Sequence, residues 1–172
     1  MFTQTCSRLG IKPTDRVLLG RIGTQTLQFV EHCAVVKSYV ISTSARPPSN
    51  IKDSLCTPRG LHEIAERIGA GQPPGTVFQS RVPTGRYYLE FADSRPGTSL
   101  ITSRILWLRG LEPGVNRGGR VDTYGRYIYV HGTNQEDRIG KPWSAGCVLM
   151  RNLDIVELYD EIRTGDLVWI VD

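Results

Sequence analysis

Residues 126–150 read RYIYVHGTNQEDRIGKPWSAGCVLM: a short strand ending at a histidine, a polar loop, and a turn of small residues leading into a cysteine. Tyr127, Ile128, Tyr129 and Val130 favour extended backbone, so His131 stands where a rigid element ends and exposure begins. His131 and Cys147 are 16 positions apart (147 − 131 = 16), enough for the intervening loop to bring imidazole and thiol together. A thiol attacks as thiolate, so a nucleophilic cysteine needs surroundings that lower its pKa from about 8.5. Ser144-Ala145-Gly146-Cys147 offers little steric bulk where a carbonyl must enter, and N–H groups at Ala145, Gly146 and Cys147 that converge on an oxyanion. His131 is the candidate base, and the carbonyl of Gly132 is a candidate to fix its tautomer.

A lone cysteine is ordinarily packing, and a lone histidine at a strand end is ordinarily solvated. The joint pattern of strand, HG, polar loop, SxGC and following helix is what points to acyl transfer. His32 and His62 lack such a context and are expected to be structural or exposed. A metal site of His131, Asp137 and Cys147 is the rival, without HExxH or paired-cysteine spacing to support it. No Walker or Rossmann glycine pattern occurs, so no cofactor is implied.

Working outward, 172 residues suit one domain. Residues 27–43 are rich in β-branched side chains and read as strand, ended by the Pro-Pro loop 45–50. Leu61, Ile64, Ala65 and Ile68 fall at helical spacing after Thr57-Pro58-Arg59-Gly60, with Gly69 as a cap, which predicts a short helix. Residues 77–83, 86–91, 99–108 and 125–132 are short strand candidates, separated by turns such as Pro83-Thr84-Gly85 and Pro96-Gly97. Leu153, Val156, Tyr159 and Ile162 form one apolar stripe, so 152–163 is expected to be helix. Asn152 or Asp154 would cap its start and Gly165 would end it, before a closing strand over 166–171. The sum is a mainly β sandwich or barrel-like core.

Composition narrows the function. No stretch approaches the ~20 apolar residues of a membrane-spanning helix, so no membrane association is expected. The opening residues hold no apolar run of ~7–15 and no small-residue cleavage site, which sets the expectation at cytoplasmic, with periplasmic the alternative if an upstream leader was removed. Cys6, Cys33 and Cys56 are expected to be buried as small hydrophobes, an odd remainder that fits a reducing compartment. The net charge of +4 comes without a basic run or interleaved stacking aromatics, against nucleic acid and in keeping with a small carboxylate-bearing substrate.

His131-Gly132-Thr133-Asn134, Ile139-Gly140-Lys141-Pro142, and Ser144-Ala145-Gly146-Cys147-Val148 followed by Met150, Asn152 and Asp154 resemble the signature of the L,D-transpeptidase catalytic (YkuD-like) domain. Thr57-Pro58-Arg59-Gly60 and Val82-Pro83-Thr84-Gly85 echo it more weakly. The resemblance covers about residues 25–172, most strongly after Arg104. It implies a β-sandwich of two mixed sheets with short helices, Cys147 as nucleophile, His131 as base and Gly132 as its orienting carbonyl. It further implies attack on the diaminopimelate carbonyl of a peptidoglycan tetrapeptide stem, release of D-alanine, and acylation of Cys147 by carbapenems.

The sequence departs from the family at Ala145, often His, and at Leu149, usually Arg or Asn. A leucine cannot donate a hydrogen bond, so Arg151, Arg126 and Arg59 join Ser144, Ala145 and Gly146 as substrate-binding candidates. The expected activity is L,D-carboxypeptidation of muropeptides during recycling, with water resolving the thioester. The alternatives are a periplasmic L,D-transpeptidase and a non-catalytic module that binds peptidoglycan fragments.

Overall fold

Extended backbone dominates the chain beyond its first few residues. The computed structural model describes residues 1–91 and 99–172. Its elements are α1 (Phe2–Leu9), β1 (Arg16–Arg21), β2 (Thr26–Glu31), β3 (Ala34–Val40), β4 (Gly60–Ile68), β5 (Thr76–Gln79), β6 (Val82–Tyr87), β7 (Ile101–Gly110), β8 (Tyr129–Gly132), β9 (Val148–Met150), α2 (Asn152–Glu161) and β10 (Leu167–Val171). The fold is mainly β with a mixed sheet and two helices, as expected. Hydrogen bonds run in the order β3-β2-β1-β10-β4-β7-β5-β6, and β8 branches from β7 to carry β9. The pairs β1/β10 and β8/β9 are parallel.

β7 joins the two parts of the sheet. It pairs with β4 through Ile105–Gly110, with β5 through Ile101 and Thr102, and with β8 through Thr102–Trp107. The β7/β8 register shifts between Thr102 and Ile105, where Ser103 takes a left-handed φ of 64°, the mark of a bulge that re-aims side chains. The main core joins Leu18, Phe29, Leu106, Val130, Val148 and Val168 to Ile155 and Leu158 of α2. Each such side chain contributes ~1.5–3 kcal/mol by leaving water, so the ladder that carries His131 and Cys147 sits against the most stable part of the molecule.

Several elements differ from the sequence reading. Residues 60–68 are strand β4, not helix. Leu61 packs with Cys6 and Leu167, whereas Ile64 packs into the main core. Three residues apart on a strand means opposite faces, so a strand buried on both faces mimics helical spacing. The single strand expected over 27–43 is a hairpin, β2 and β3, turned at His32 and Cys33 with φ of 48° and 65°. Cys33 is therefore exposed, while Cys6 and Cys56 are buried.

Residues 77–83 likewise fold back at Ser80 and Arg81, both at positive φ, and Tyr88–Phe91 is a 3-10 turn rather than strand. α1, which buries Cys6 against Leu61 and Leu167, had no counterpart in the sequence reading. α2 ends at Glu161, short of Arg163. The expected turn at Pro96-Gly97 lies outside the described residues.

Candidate active site

The parallel ladder of β8 and β9 builds the site. Register sets Val130 beside Val148, His131 beside Leu149 and Gly132 beside Met150. Side chains alternate along a strand, so His131, Leu149 and Cys147, two residues before Leu149, project to one side. With Ser99, Ile101, Ser144 and Ala145 they line a cavity of ≈ 200 Å³. Cys147 also packs against the buried cluster of Phe78, Ile105, Trp107 and Tyr129.

His131 is 3% exposed, and its Nδ1 lies 2.7 Å from the carbonyl oxygen of Gly132. A carbonyl only accepts, so the ring proton sits on Nδ1 and Nε2 keeps its lone pair. Burial pushes the imidazole down to about 4, against the Gly132 bond, and His131 is neutral at pH 7. A Cβ at position 132 would stand 2.8 Å from Asn152 Oδ1 and from Thr102 O, which explains glycine there.

The Cys147 thiol receives the N–H of Tyr129 at 3.4 Å and points to the carbonyl of Tyr127 at 3.6 Å. Burial pushes it up to about 11, against the lowering effects of the Tyr129 N–H and of Arg126. The resting pair at neutral pH is thus thiol and imidazole, not thiolate and imidazolium.

Ser144 shapes the turn that carries Cys147. Its N–H donates to Thr43 O at 2.9 Å, its Oγ donates to Cys147 O at 2.6 Å, and it accepts from Gly146 N–H at 3.2 Å. Gly146 takes φ 122°, and a Cβ there would meet Cys56 O and Ile128 Cδ1, both at 3.2 Å. Of the three N–H groups expected to face an oxyanion, that of Gly146 is occupied by Ser144 Oγ; among the described residues those of Ala145 and Cys147 have no hydrogen-bond partner.

The arginine candidates divide. Arg126 spends its guanidinium on Ser49 O (3.2 Å), Ser54 Oγ (3.3 Å) and Cys56 O (2.7 Å). It fastens the loop behind the turn that carries Cys147 instead of presenting its donors to a ligand. Arg59 pairs with Asp172 at 2.6 Å and lines a separate cavity with Phe2 and Trp169. Arg151 lies 3.9 Å from Asp154 at the start of α2. Neither Arg59 nor Arg151 lines the Cys147 cavity. His62 is fully buried, bonded to Gly60 O and Thr123 Oγ1, and His32 is exposed.

Sequence reasoning missed the role of Asn152. It reads as a helix cap, but Arg151 holds that position. The Asn152 side chain instead receives the hydroxyls of Thr102 and Ser103 and donates to Thr133 O and Glu136 Oε1. It ties β7 to the chain just beyond Gly132. Its place shortly after the SxGC turn was the available signal.

The family profile of the YkuD L,D-transpeptidase catalytic domain matches residues 15–170. The chain belongs to this family. Among its relatives, the putative L,D-transpeptidase YqjB of Bacillus subtilis is 44% identical over 50 residues, 29% of this chain and 28% of that protein. An L,D-transpeptidase from Xylanimonas cellulosilytica superposes with a TM-score of 0.58 at 19% identity, over 98% of this chain and 69% of that one. L,D-transpeptidase 3 from Mycobacterium tuberculosis, solved with a faropenem-derived adduct, gives 0.58 at 14% identity, over 92% and 60%. At these identities the superpositions show a shared fold. The match spans little more than a quarter of the Bacillus subtilis protein.

Proposed function

We propose that this L,D-transpeptidase-family domain is a cysteine acyl-enzyme peptidase that cleaves the diaminopimelate–D-alanine bond of peptidoglycan tetrapeptide stems, as an L,D-carboxypeptidase. The observation that carries the reading is a neutral His131, its Nδ1 proton held by Gly132, sharing one small cavity with the Cys147 thiol. Rotation of the thiol away from Tyr127 O gives its proton to Nε2 as sulfur bonds to the diaminopimelate carbonyl carbon. The oxyanion is received by the N–H groups of Ala145 and Cys147. The C–N bond then breaks, D-alanine leaves with the proton from Nε2, and the acyl group remains as a thioester. Water, deprotonated by the same Nε2, attacks the thioester, and the thiol departs with its proton restored.

Hydrolysis is supported by the size of the cavity, ≈ 200 Å³ with Ile101 and Leu149 in its wall, room for an alanyl group and water at ~30 Å³ per molecule. Transfer to an amine, L,D-transpeptidation, is the second reading, favoured by another cavity of ≈ 240 Å³ that also borders Ala145. Soluble muropeptides in the cytoplasm complete the proposal, in keeping with the unpaired thiols of Cys6, Cys33 and Cys56. The L,D-transpeptidase LdtMt1, solved in complex with the carbapenem imipenem, and the faropenem-derived adduct of the Mycobacterium tuberculosis relative support extending carbapenem acylation to Cys147 here.

The test is incubation with disaccharide-tetrapeptide, with and without a D-amino acid, followed by mass spectrometry. Tripeptide alone is expected. An exchange or dimer product would replace hydrolysis with transfer, and binding without turnover would favour a non-catalytic module. Fractionation of cells that make the full gene product tests the compartment: a mature periplasmic form with a cleaved leader would overturn the cytoplasmic assignment.

A further inference from the structure

The nucleophile turn has a cavity on each side. Ala145 borders both, the one that holds His131 and Cys147 and a second lined by Lys52, Asp53, Leu55, Arg126 and Tyr127. Three residues of this second cavity, Asp53, Leu55 and Tyr127, take left-handed backbone at φ of 64°, 58° and 57°. None is a glycine. The other non-glycine residues in this region, among those described, sit in the hairpin turns 32–33 and 80–81, at Gln25 before β2, and at the Ser103 bulge. Tyr127 likewise closes the turn before β8, with Tyr127 N–H to Tyr124 O at 3.0 Å and Ile128 N–H to Thr123 O at 3.4 Å, and Asp53 lies in the turn closed by Ser54 N–H to Ile51 O at 3.3 Å; these two turns shape the cavity's wall.

The 49–56 loop is fastened from several sides. Arg126 holds Ser49, Ser54 and Cys56, Lys52 N–H donates to Arg120 O at 2.6 Å, and Ser44 Oγ donates to Leu55 O at 2.6 Å. The cavity is therefore preformed, which lowers the ordering cost of binding. Among the described residues Lys52 and Asp53 make no ion pair. They are adjacent in sequence, opposite in charge and exposed, and Tyr127, 55% exposed, adds an aromatic face beside them.

We propose that this second cavity is a subsite for a zwitterionic α-amino-acid group, with Asp53 receiving its ammonium, Lys52 its carboxylate and Tyr127 its aliphatic stem. The identity of the ligand rests on the peptidase reading. On that reading, one source is the far end of diaminopimelate in the stem peptide, which carries both charges on one carbon; the other is a free amino acid arriving as acceptor.

The experiment measures binding by calorimetry to the full chain carrying Cys147→Ala, which cannot turn over. The ligands are disaccharide-tetrapeptides with diaminopimelate, with its far carboxylate amidated, or with lysine in its place, and separately a free D-amino acid. Amidation and lysine are each expected to weaken binding about tenfold, the scale of one charge-assisted contact. Lys52→Gln should weaken the diaminopimelate peptide by a similar factor and erase its advantage, whereas Asp53→Asn should weaken all three peptides. If instead only the free D-amino acid responds to the two variants, the cavity serves the acceptor. If both variants are folded by circular dichroism and no affinity changes, or nothing binds, the subsite is overturned. Turnover by the Cys147 enzyme is scored apart: turnover with unchanged affinities removes the subsite alone, and charge-dependent binding without turnover removes the peptidase reading alone.

Discussion

Changing Asn152 to Asp keeps the shape of a buried side chain, removes its donors and adds a carboxylate charge. In the wild type Asn152 is 6% exposed; Nδ2 donates to Thr133 O at 2.9 Å and Glu136 Oε1 at 2.6 Å, and Oδ1 receives Thr102 Oγ1 at 2.6 Å. Asp would keep the accepting side, remove both donors, and set an oxygen against the Thr133 carbonyl and a charge against Glu136. A neutral bond contributes about 1 kcal/mol and a charge-assisted one about 2; Glu136 Oε1 keeps the backbone N–H of residue 152 at 2.6 Å but faces a new charge, and Thr133 O loses this donor, so Asn152→Asp should destabilise by about 3–5 kcal/mol at neutral pH.

The loss should depend on pH in a set direction. The new carboxyl is buried and faces the negative charge of Glu136, so its folded pKa lies above its unfolded value. Such a group favours folding fully below the unfolded pKa, and that contribution disappears as pH rises through the folded pKa. The deficit should therefore shrink toward about pH 5. Urea unfolding, followed by tryptophan fluorescence at about pH 7.5 and about pH 5, measures both values. A deficit below about 1 kcal/mol, or one equal at both pH values, would refute the assignment of Asn152 as the tie between β7 and the His131 strand.

The site's chemistry gives three further expectations. With His131 held down to about 4 and Cys147 up to about 11, kcat/KM should rise through about pH 4 and stay level across neutrality, while iodoacetamide alkylation of Cys147 accelerates about tenfold per pH unit up to about pH 10. A bell centred near neutrality would contradict a resting thiol and imidazole. Gly146→Ala forces an L-residue into φ 122° within 3.2 Å of Cys56 O and should lower stability by about 1–3 kcal/mol and activity at least tenfold; thermal unfolding and turnover both wild-type would remove the steric account. Arg126→Met frees the 49–56 loop and removes the positive charge that lowers the thiol, so Tm should fall by a few degrees, about 2–8 °C, and the alkylation profile should move to higher pH; an unmoved profile would separate Arg126 from Cys147 electrostatically.

The candidate pair could be picked out in the sequence because its signal is local: a β-rich run leading into His131-Gly132, which the structure keeps inside β8, and small residues before Cys147. The ladder of β8 and β9 then fixes their relation with few degrees of freedom. α2 and β10 were legible for the same reason, through apolar periodicity. Long-range packing hid the rest. β4 is buried on both faces, so Leu61 and Ile64 serve different cores and imitate a helix. The turns at His32-Cys33 and Ser80-Arg81 use no glycine or asparagine, so the chain announced no break.

The arginines show a different limit. The departure at Leu149 pointed to Arg59, Arg126 and Arg151 as cations available to a substrate carboxylate, but a guanidinium's partners are set by tertiary structure. Arg59 found Asp172, Arg151 lies near Asp154, and Arg126 found three loop oxygens. Lys52 and Asp53 carried no motif, and only the folding of their loop brings them to a cavity that Ala145 also borders.

The most direct measurement is D-alanine release from disaccharide-tetrapeptide by wild type and by Cys147→Ala, with intact-protein mass recorded after an acid quench. Wild type should release D-alanine and carry a tripeptide adduct that peptide mapping places on Cys147, and the alanine variant should show neither. Release by Cys147→Ala within about tenfold of the wild-type rate would contradict the thiol as nucleophile.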